Sequence, residues 1–253
     1  MKIKLFTTVL IGLTAMLAHT GPVGAAEIKV LASNGVKAAL EELAPAFERE
    51  TGHKLTISFG VATVLKRQIE GGETFDLAIL TTAGIEDLAK QGKVDGSTSA
   101  SIARSGVGIG IRKGASRPDI GTTEALKSTL LAAKSIAWAK EGASGVYFAS
   151  VLQRMGIGEQ MKSKITLAPA GPDVGELLAS GKVEYAALLV NELIAAPGVE
   201  VLGPLPPELQ SYTVFQAGIS TAAKNAAASG ALIRLLRSPA AAIVFKAKGQ
   251  EPG

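Results

Sequence analysis

Four short stretches of this 253-residue chain combine small, hydroxyl or amide side chains with glycine in a way suited to holding an anion. They are Ser33-Asn34-Gly35, Gly60 to Thr63, Thr81-Thr82 with Gly84, and Ser144-Gly145. Each follows an apolar run and precedes a segment of helical periodicity, so each falls where a helix begins. The first backbone N–H groups of a helix have no partner within it, and the helix dipole adds partial positive charge there. An oxyanion or carboxylate docks on such groups without a cationic side chain, and a Ser or Thr hydroxyl adds a donor. Taken singly, each stretch is read more simply as an N-cap. Together they make Ser33, Asn34, Thr63, Thr81, Thr82, Ser144 and Gly145 candidates for one anion cradle.

Patterns for catalysis fail one by one. The chain has no cysteine, and beyond the first residues its single histidine is His53, expected as a solvent-exposed turn residue. Ser144 lacks the nucleophile elbow, because Val146 stands where a second glycine is required. The spacing of Gly106, Gly108 and Gly110 is not that of a dinucleotide fingerprint. The run from Gly175 to Lys182 is one residue too long for a phosphate loop, with Val183 in place of the hydroxyl. An acid/base pair in a cleft would have to come from Glu192 and Asp76. These exclusions lead to an expectation of a binding protein that is not an enzyme and uses no cofactor or metal, with a ligand-presenting sensory protein and a secreted enzyme on the same fold as the alternatives. Arg104, just before a glycine-rich strand, is a candidate for a bidentate pair with the ligand. Trp138 and Tyr147 suit a cleft wall or the core.

The elements that would position these residues alternate. Ile28 to Ala32 reads as a buried strand. Val36, Ala39, Leu40, Leu43, Ala44 and Phe47 then mark one apolar helix face. Strands over Lys54–Phe59 and Phe75–Leu80, each followed by a helix, complete a βαβαβα order, which implies a mostly parallel sheet with helices on both faces. In such sheets ligands bind beyond the carboxyl ends of the strands, so three of the candidate loops share one edge. Ser105 to Arg112 reads as a strand whose glycines leave one face bare. A second α/β pattern follows, with a strand at Ser135–Ala139, a helix to Arg154, a strand at Tyr185–Val190, a proline-rich loop at Gly203–Pro207 and a strand at Tyr212–Ile219. Two α/β halves joined by the Ser105 and Tyr212 strands are the simplest architecture.

Residues 1–26 read as a secretory leader, with Lys2 and Lys4, an apolar stretch from Leu5 to Leu17, and small residues at Ala25 and Ala26. Beyond it the chain carries 24 basic and 22 acidic residues, a net +2. These charges are scattered, without the basic stripe a nucleic-acid surface needs.

The segments IKVLASNGVKAALEELAPAFERETGHKL, SFGVATVLKRQIEGGETFDLAIL, GASGVYFASVLQRMGI and SPAAAIVFKAKG give the chain a resemblance. It resembles the periplasmic solute-binding proteins of ABC importers, in the molybdate-binding-like branch of the type II fold. The resemblance implies an α/β fold of two lobes with two interdomain crossovers. Lobe 1 would be 27–104 with 214–253, and lobe 2 would be 105–213. It also implies a small anionic ligand, a partner ABC permease in the inner membrane, no nucleic acid, and a monomer in the periplasm. Gly35 stands where molybdate binders place one serine, and Ala62, beside Thr63, where they place a second. Ser144 aligns with an alanine and Val174 with a valine; Val190, followed by Asn191, takes the place of a tyrosine. With two hydroxyls and a tyrosine replaced, a small organic acid suits the pocket as well as molybdate or tungstate. The expected ligand set is Ser33, Asn34, Gly35, Thr63, Thr82, Arg104, Ser144, Gly145, Val174 and Asn191.

Overall fold

The structure, a computed structural model, describes residues 25–253, so the expected leader lies almost wholly outside the described residues. The first half contains β1 (Glu27–Ser33), α1 (Lys37–Thr51), β2 (Lys54–Gly60), α2 (Ala62–Glu70), β3 (Leu77–Thr81) and α3 (Thr82–Lys90). A long strand, β4 (Ala100–Arg112), leads into α4 (Thr123–Ala132), β5 (Ile136–Ala139), α5 (Ala143–Arg154), α6 (Gly158–Met161), β6 (Ile165–Ala168), α7 (Gly171–Ala179), β7 (Tyr185–Leu189) and α8 (Val190–Ala195). The chain returns through β8 (Val199–Pro204) and β9 (Tyr212–Ile219), and ends with α9 (Ala226–Leu236), α10 (Pro239–Ala247) and β10 (Glu251–Pro252). The expected proline-rich loop at Gly203–Pro207 begins inside β8, where Gly203 pairs with Ile109 at the sheet edge.

Within each half the pairing is parallel: β1 lies between β2 and β3, and β5 between β6 and β7. The join is antiparallel, which corrects the expectation of a mostly parallel sheet. Strand β4 carries the chain out of the first half and β9 carries it back, so the two run in opposite directions. Residues Ala100–Gly106 of β4 pair with β9, and Val107–Ile111 pair with β7. One strand is thus shared by both half-sheets, changing partner between Gly106 and Val107.

The glycines of β4 have the role their spacing implied. A Cβ at Gly110 would lie 2.4 Å from Leu193, and one at Gly108 3.0 Å from Val190. Helix α8 therefore rests directly on the bare face, at the junction of the halves. Buried side chains fill both sides of the sheet, with Phe47, Phe215 and Phe245 around the first half and Phe148 in the second. His53 is 6 % exposed rather than solvated. Its Nδ1 accepts the Ala26 N–H at 3.2 Å and its ring lies against Phe47, so the turn folds back onto β1.

Asp76, one of the two acid/base candidates, stands at the amino end of β3, the end opposite Thr81, and is a structural tie. Its carboxylate accepts the N–H groups of Lys29 at 3.0 Å, Lys224 at 2.8 Å and Asn225 at 3.0 Å. Three orphaned donors would remain without it, and hydrogen bonds to a charged acceptor contribute more than neutral ones. Asp76→Ala is expected to lower unfolding free energy by about 2–4 kcal/mol in urea titration, with ligand affinity of the folded fraction unchanged.

Candidate functional site

Helix starts from both halves meet between them. Ser33 ends β1 and caps the 3-10 turn that carries Asn34 and Gly35. Val61 and Ala62 begin α2, and Thr81 begins α3. Facing them, Gly142, Ala143 and Ser144 begin α5, Gly171 begins α7, and Leu189 with Glu192 begins α8. Together with the Phe215 ring they enclose a cavity of about 30 Å³. The starts of α2 and α5 have no side-chain cap, leaving their first N–H groups available to an occupant, whereas α7 has Pro172 without an N–H and Asp173 accepting the Ala170 N–H at 3.0 Å. At the other two lobe 1 starts the hydroxyl is engaged: Ser33 Oγ accepts from Gly35 N at 3.3 Å, and Thr81 Oγ1 from Gly84 N at 3.4 Å.

Of the expected ligand set, Ser33, Asn34, Gly35 and Ser144 line this cavity. Asn191 lies beside it, its Nδ2 donating to the Gly35 carbonyl at 2.7 Å, a bond between the halves. Gln250 Nε2 donates to the same carbonyl at 3.0 Å. The others fall elsewhere. Gly145 is a packing residue, because a Cβ there would lie 2.3 Å from the Ala139 carbonyl oxygen. Val174 is fully buried in the core of the second half. Thr82 turns to the Val214 carbonyl at 3.5 Å, and its neighbour Thr81 takes the lining position. Arg104 bonds Glu251 through Nε at 2.8 Å and stacks over Tyr212, tying β4 to the C-terminal strand rather than reaching the ligand. Trp138 and Tyr147 are packing residues: Trp138 meets Phe148 edge to face, and Tyr147 donates to the Leu209 carbonyl at 2.9 Å.

Thr63 closes the cleft instead of lining it. Its hydroxyl donates to the Glu141 carbonyl at 3.2 Å, and Arg67 Nη1 reaches the Glu141 carboxylate at 2.6 Å. The Arg67 guanidinium holds the Glu141 carboxyl below the usual carboxylate range. Arg67 and Glu141 were not legible as a pair, since they lie 74 residues apart and carry no motif.

Glu192 is the chemically distinctive member. Its side chain is only partly exposed, and burial of its carboxyl between the halves pushes it up to about 7, against a smaller opposing pull from the Leu189 N–H. That N–H donates to Glu192 Oε2 at 3.3 Å. Gly171 leaves the room, since a Cβ there would come within 2.9 Å of Glu192 Oε1. The charged groups beside it are Lys37 and Glu41 of α1 and Glu176 of α7. A carboxyl pushed up to about 7 can give or take a proton at physiological pH.

The raised value carries a sign. Between about pH 4.5 and 7 the folded protein keeps a proton on Glu192 that the unfolded chain has released. This stabilisation is complete below pH 4.5 and is lost as pH rises through 7, by up to about 3 kcal/mol. Glu192→Gln is expected to remove that decline, flattening the stability profile measured by denaturant unfolding from pH 4 to 8.

The profile of the family described as bacterial extracellular solute-binding protein matches residues 28–251. A protein named aconitate isomerase, from a Pseudomonas species, is 29% identical over 252 residues, covering 96% of this chain and 95% of that one. The molybdate-binding protein ModA of Azotobacter vinelandii is 28% identical over 234 residues, 89% of this chain and 90% of its own. The solved periplasmic molybdate-binding protein of the same organism superposes with a TM-score of 0.77 at 20% identity, covering 89% of this chain and 99% of that one. The two-lobed type II architecture with two crossovers is therefore borne out. The expectation that the chain is not an enzyme is overturned, because a relative matching along almost the whole chain is an enzyme by name. The exclusion misled because a motif records only groups held together by a local turn. By the match along nearly all its described length, the chain belongs to the bacterial extracellular solute-binding protein family.

Proposed function

We propose that the protein captures a small polycarboxylate anion between its lobes and isomerises it by moving one proton, with aconitate as the substrate class. The observation that carries this reading is the Glu192 carboxyl, buried among helix starts and poised near neutrality. The relative named aconitate isomerase supports the choice of substrate.

Aconitate is a propene bearing three carboxylates. Its methylene lies between a carboxylate and the double bond, so loss of a proton there leaves an allylic anion spread into the carboxylates. In the proposed step the uncapped N–H groups of α2 and α5 hold the carboxylate oxygens and stabilise the charge as it spreads. Glu192 takes the methylene proton, breaking one C–H bond. It then returns a proton to the far carbon of the allyl unit, forming another. The double bond moves by one carbon and can close in either geometry, so cis and trans forms interconvert. One proton moves and no electrons are gained or lost.

Capture for an ABC permease in the inner membrane, after export to the periplasm, is a second reading. The family and the molybdate-binding relative favour it, and the same closed cleft would serve it.

Proton NMR of the purified protein with cis-aconitate in D2O tests the first reading. Trans-aconitate is expected to form with deuterium on carbon, with kcat/KM rising up to about pH 7 and then levelling. Glu192→Gln is expected to lower kcat by about 10²–10⁴-fold. Calorimetric binding with neither isomer formation nor deuterium uptake would leave capture alone. Ser144→Asp, which adds a carboxylate to the cradle, is expected to weaken anion binding at least tenfold in the same calorimetry while the thermal transition stays cooperative.

A further inference from the structure

Glu192 borders two spaces. One is the closed cavity of about 30 Å³ among the helix starts. The other is a groove of about 470 Å³ on the flank of the lobe junction, between α1 on one side and α7 and α8 on the other. Asn34, Gly171 and Glu192 line both, so these three residues form the partition between them. Gly171 keeps that partition thin, since a Cβ would press on the Glu192 carboxylate.

The groove's chemistry suits water and protons better than a second substrate carboxylate. Its charged lining is Lys37, Glu41, Glu176 and Glu192, and Lys37 is already paired with Glu41. An anion entering would face Glu176 and Glu192 with no free cation from the lining. Asn191, 3 % exposed, also lines the groove.

Resting on the proposed isomerase reading, we infer that this groove is a proton port: Glu192 exchanges its proton with solvent through it while the cleft stays closed over substrate. A water in the groove links Glu192 to solvent. The proton taken from the substrate passes from the Glu192 carboxyl to that water, and a solvent proton replaces it before return to carbon. Proton count and charge are unchanged over the cycle. Gly171 acts as a positioning residue for this exchange.

The test fills the groove from each wall, with Ala38→Phe in α1 and Ala195→Phe in α8. The first readout is isotopic: early product formed in D2O by the wild-type protein carries solvent deuterium in nearly every turnover, and the filled variants return the substrate's own proton severalfold more often. The second does not need turnover. Carbodiimide coupling of glycinamide to Glu192, followed by peptide mass spectrometry, should slow at least tenfold in the filled variants and stay unchanged in Arg67→Ala, which removes the ion pair across the mouth of the cleft. Coupling that ignores the fillings and accelerates in Arg67→Ala would overturn the port, as would wild-type product that retains the substrate proton. If no isomer forms, the isomerase reading fails and the coupling rates still decide whether Glu192 opens to the groove.

Discussion

Backbone N–H groups at the first turn of a helix must find an acceptor, and in this protein several helices present them to one point. The arrangement follows from the sheet. In each half the parallel strands end on the same side, and β4, shared by both half-sheets, turns those ends toward each other. The starts of α2 and α5 then face a cavity without side-chain caps. An enclosed cluster of donors favours negative charge. Glu192 is the resident group that meets the demand in part, and its position depends on two glycine effects. The bare face of β4 lets α8 lie close, and Gly171 leaves room for the carboxylate.

What the sequence disclosed of this follows the range of the interactions. Helix starts are local, so Ser33, Asn34, Gly35 and Ser144 could be placed at the cleft from their neighbours alone. The glycine alternation in β4 is also local and correctly announced a close neighbour, although not that the neighbour was α8. Residues whose roles depend on distant partners were misplaced. Arg104 pairs with Glu251, which no periodicity connects to it. His53 is buried by contact with Phe47 and Ala26. Val174 has the alternation of a helix residue, and only the packed second half shows which way it faces. The antiparallel join likewise comes from the path of the chain between halves, which local patterns do not encode.

The same distinction explains why exclusion of catalytic motifs did not exclude catalysis. Motifs record groups that must be held together by a tight local turn, such as a nucleophile elbow or a phosphate loop. Proton transfer to carbon needs one carboxyl with a suitable environment, and environment is a tertiary property. Glu192 and Asp76 were indistinguishable as letters. In the fold, Asp76 accepts three N–H groups at the far end of β3, while Glu192 is desolvated in the cleft.

Capture and catalysis then differ by little on this framework. The ion pair between Arg67 and Glu141 spans the mouth of the cleft, but both side chains are about half exposed, and such pairs contribute little, about 0–1 kcal/mol. The contacts from Asn191 and Gln250 to the Gly35 carbonyl are buried and join the halves at the inner end. Closure is therefore set chiefly at the junction and by whatever fills the ring of N–H groups. A ligand that fills it brings charge toward Glu192, and like charges side by side favour the protonated carboxyl. Binding and proton uptake are in this way coupled by geometry.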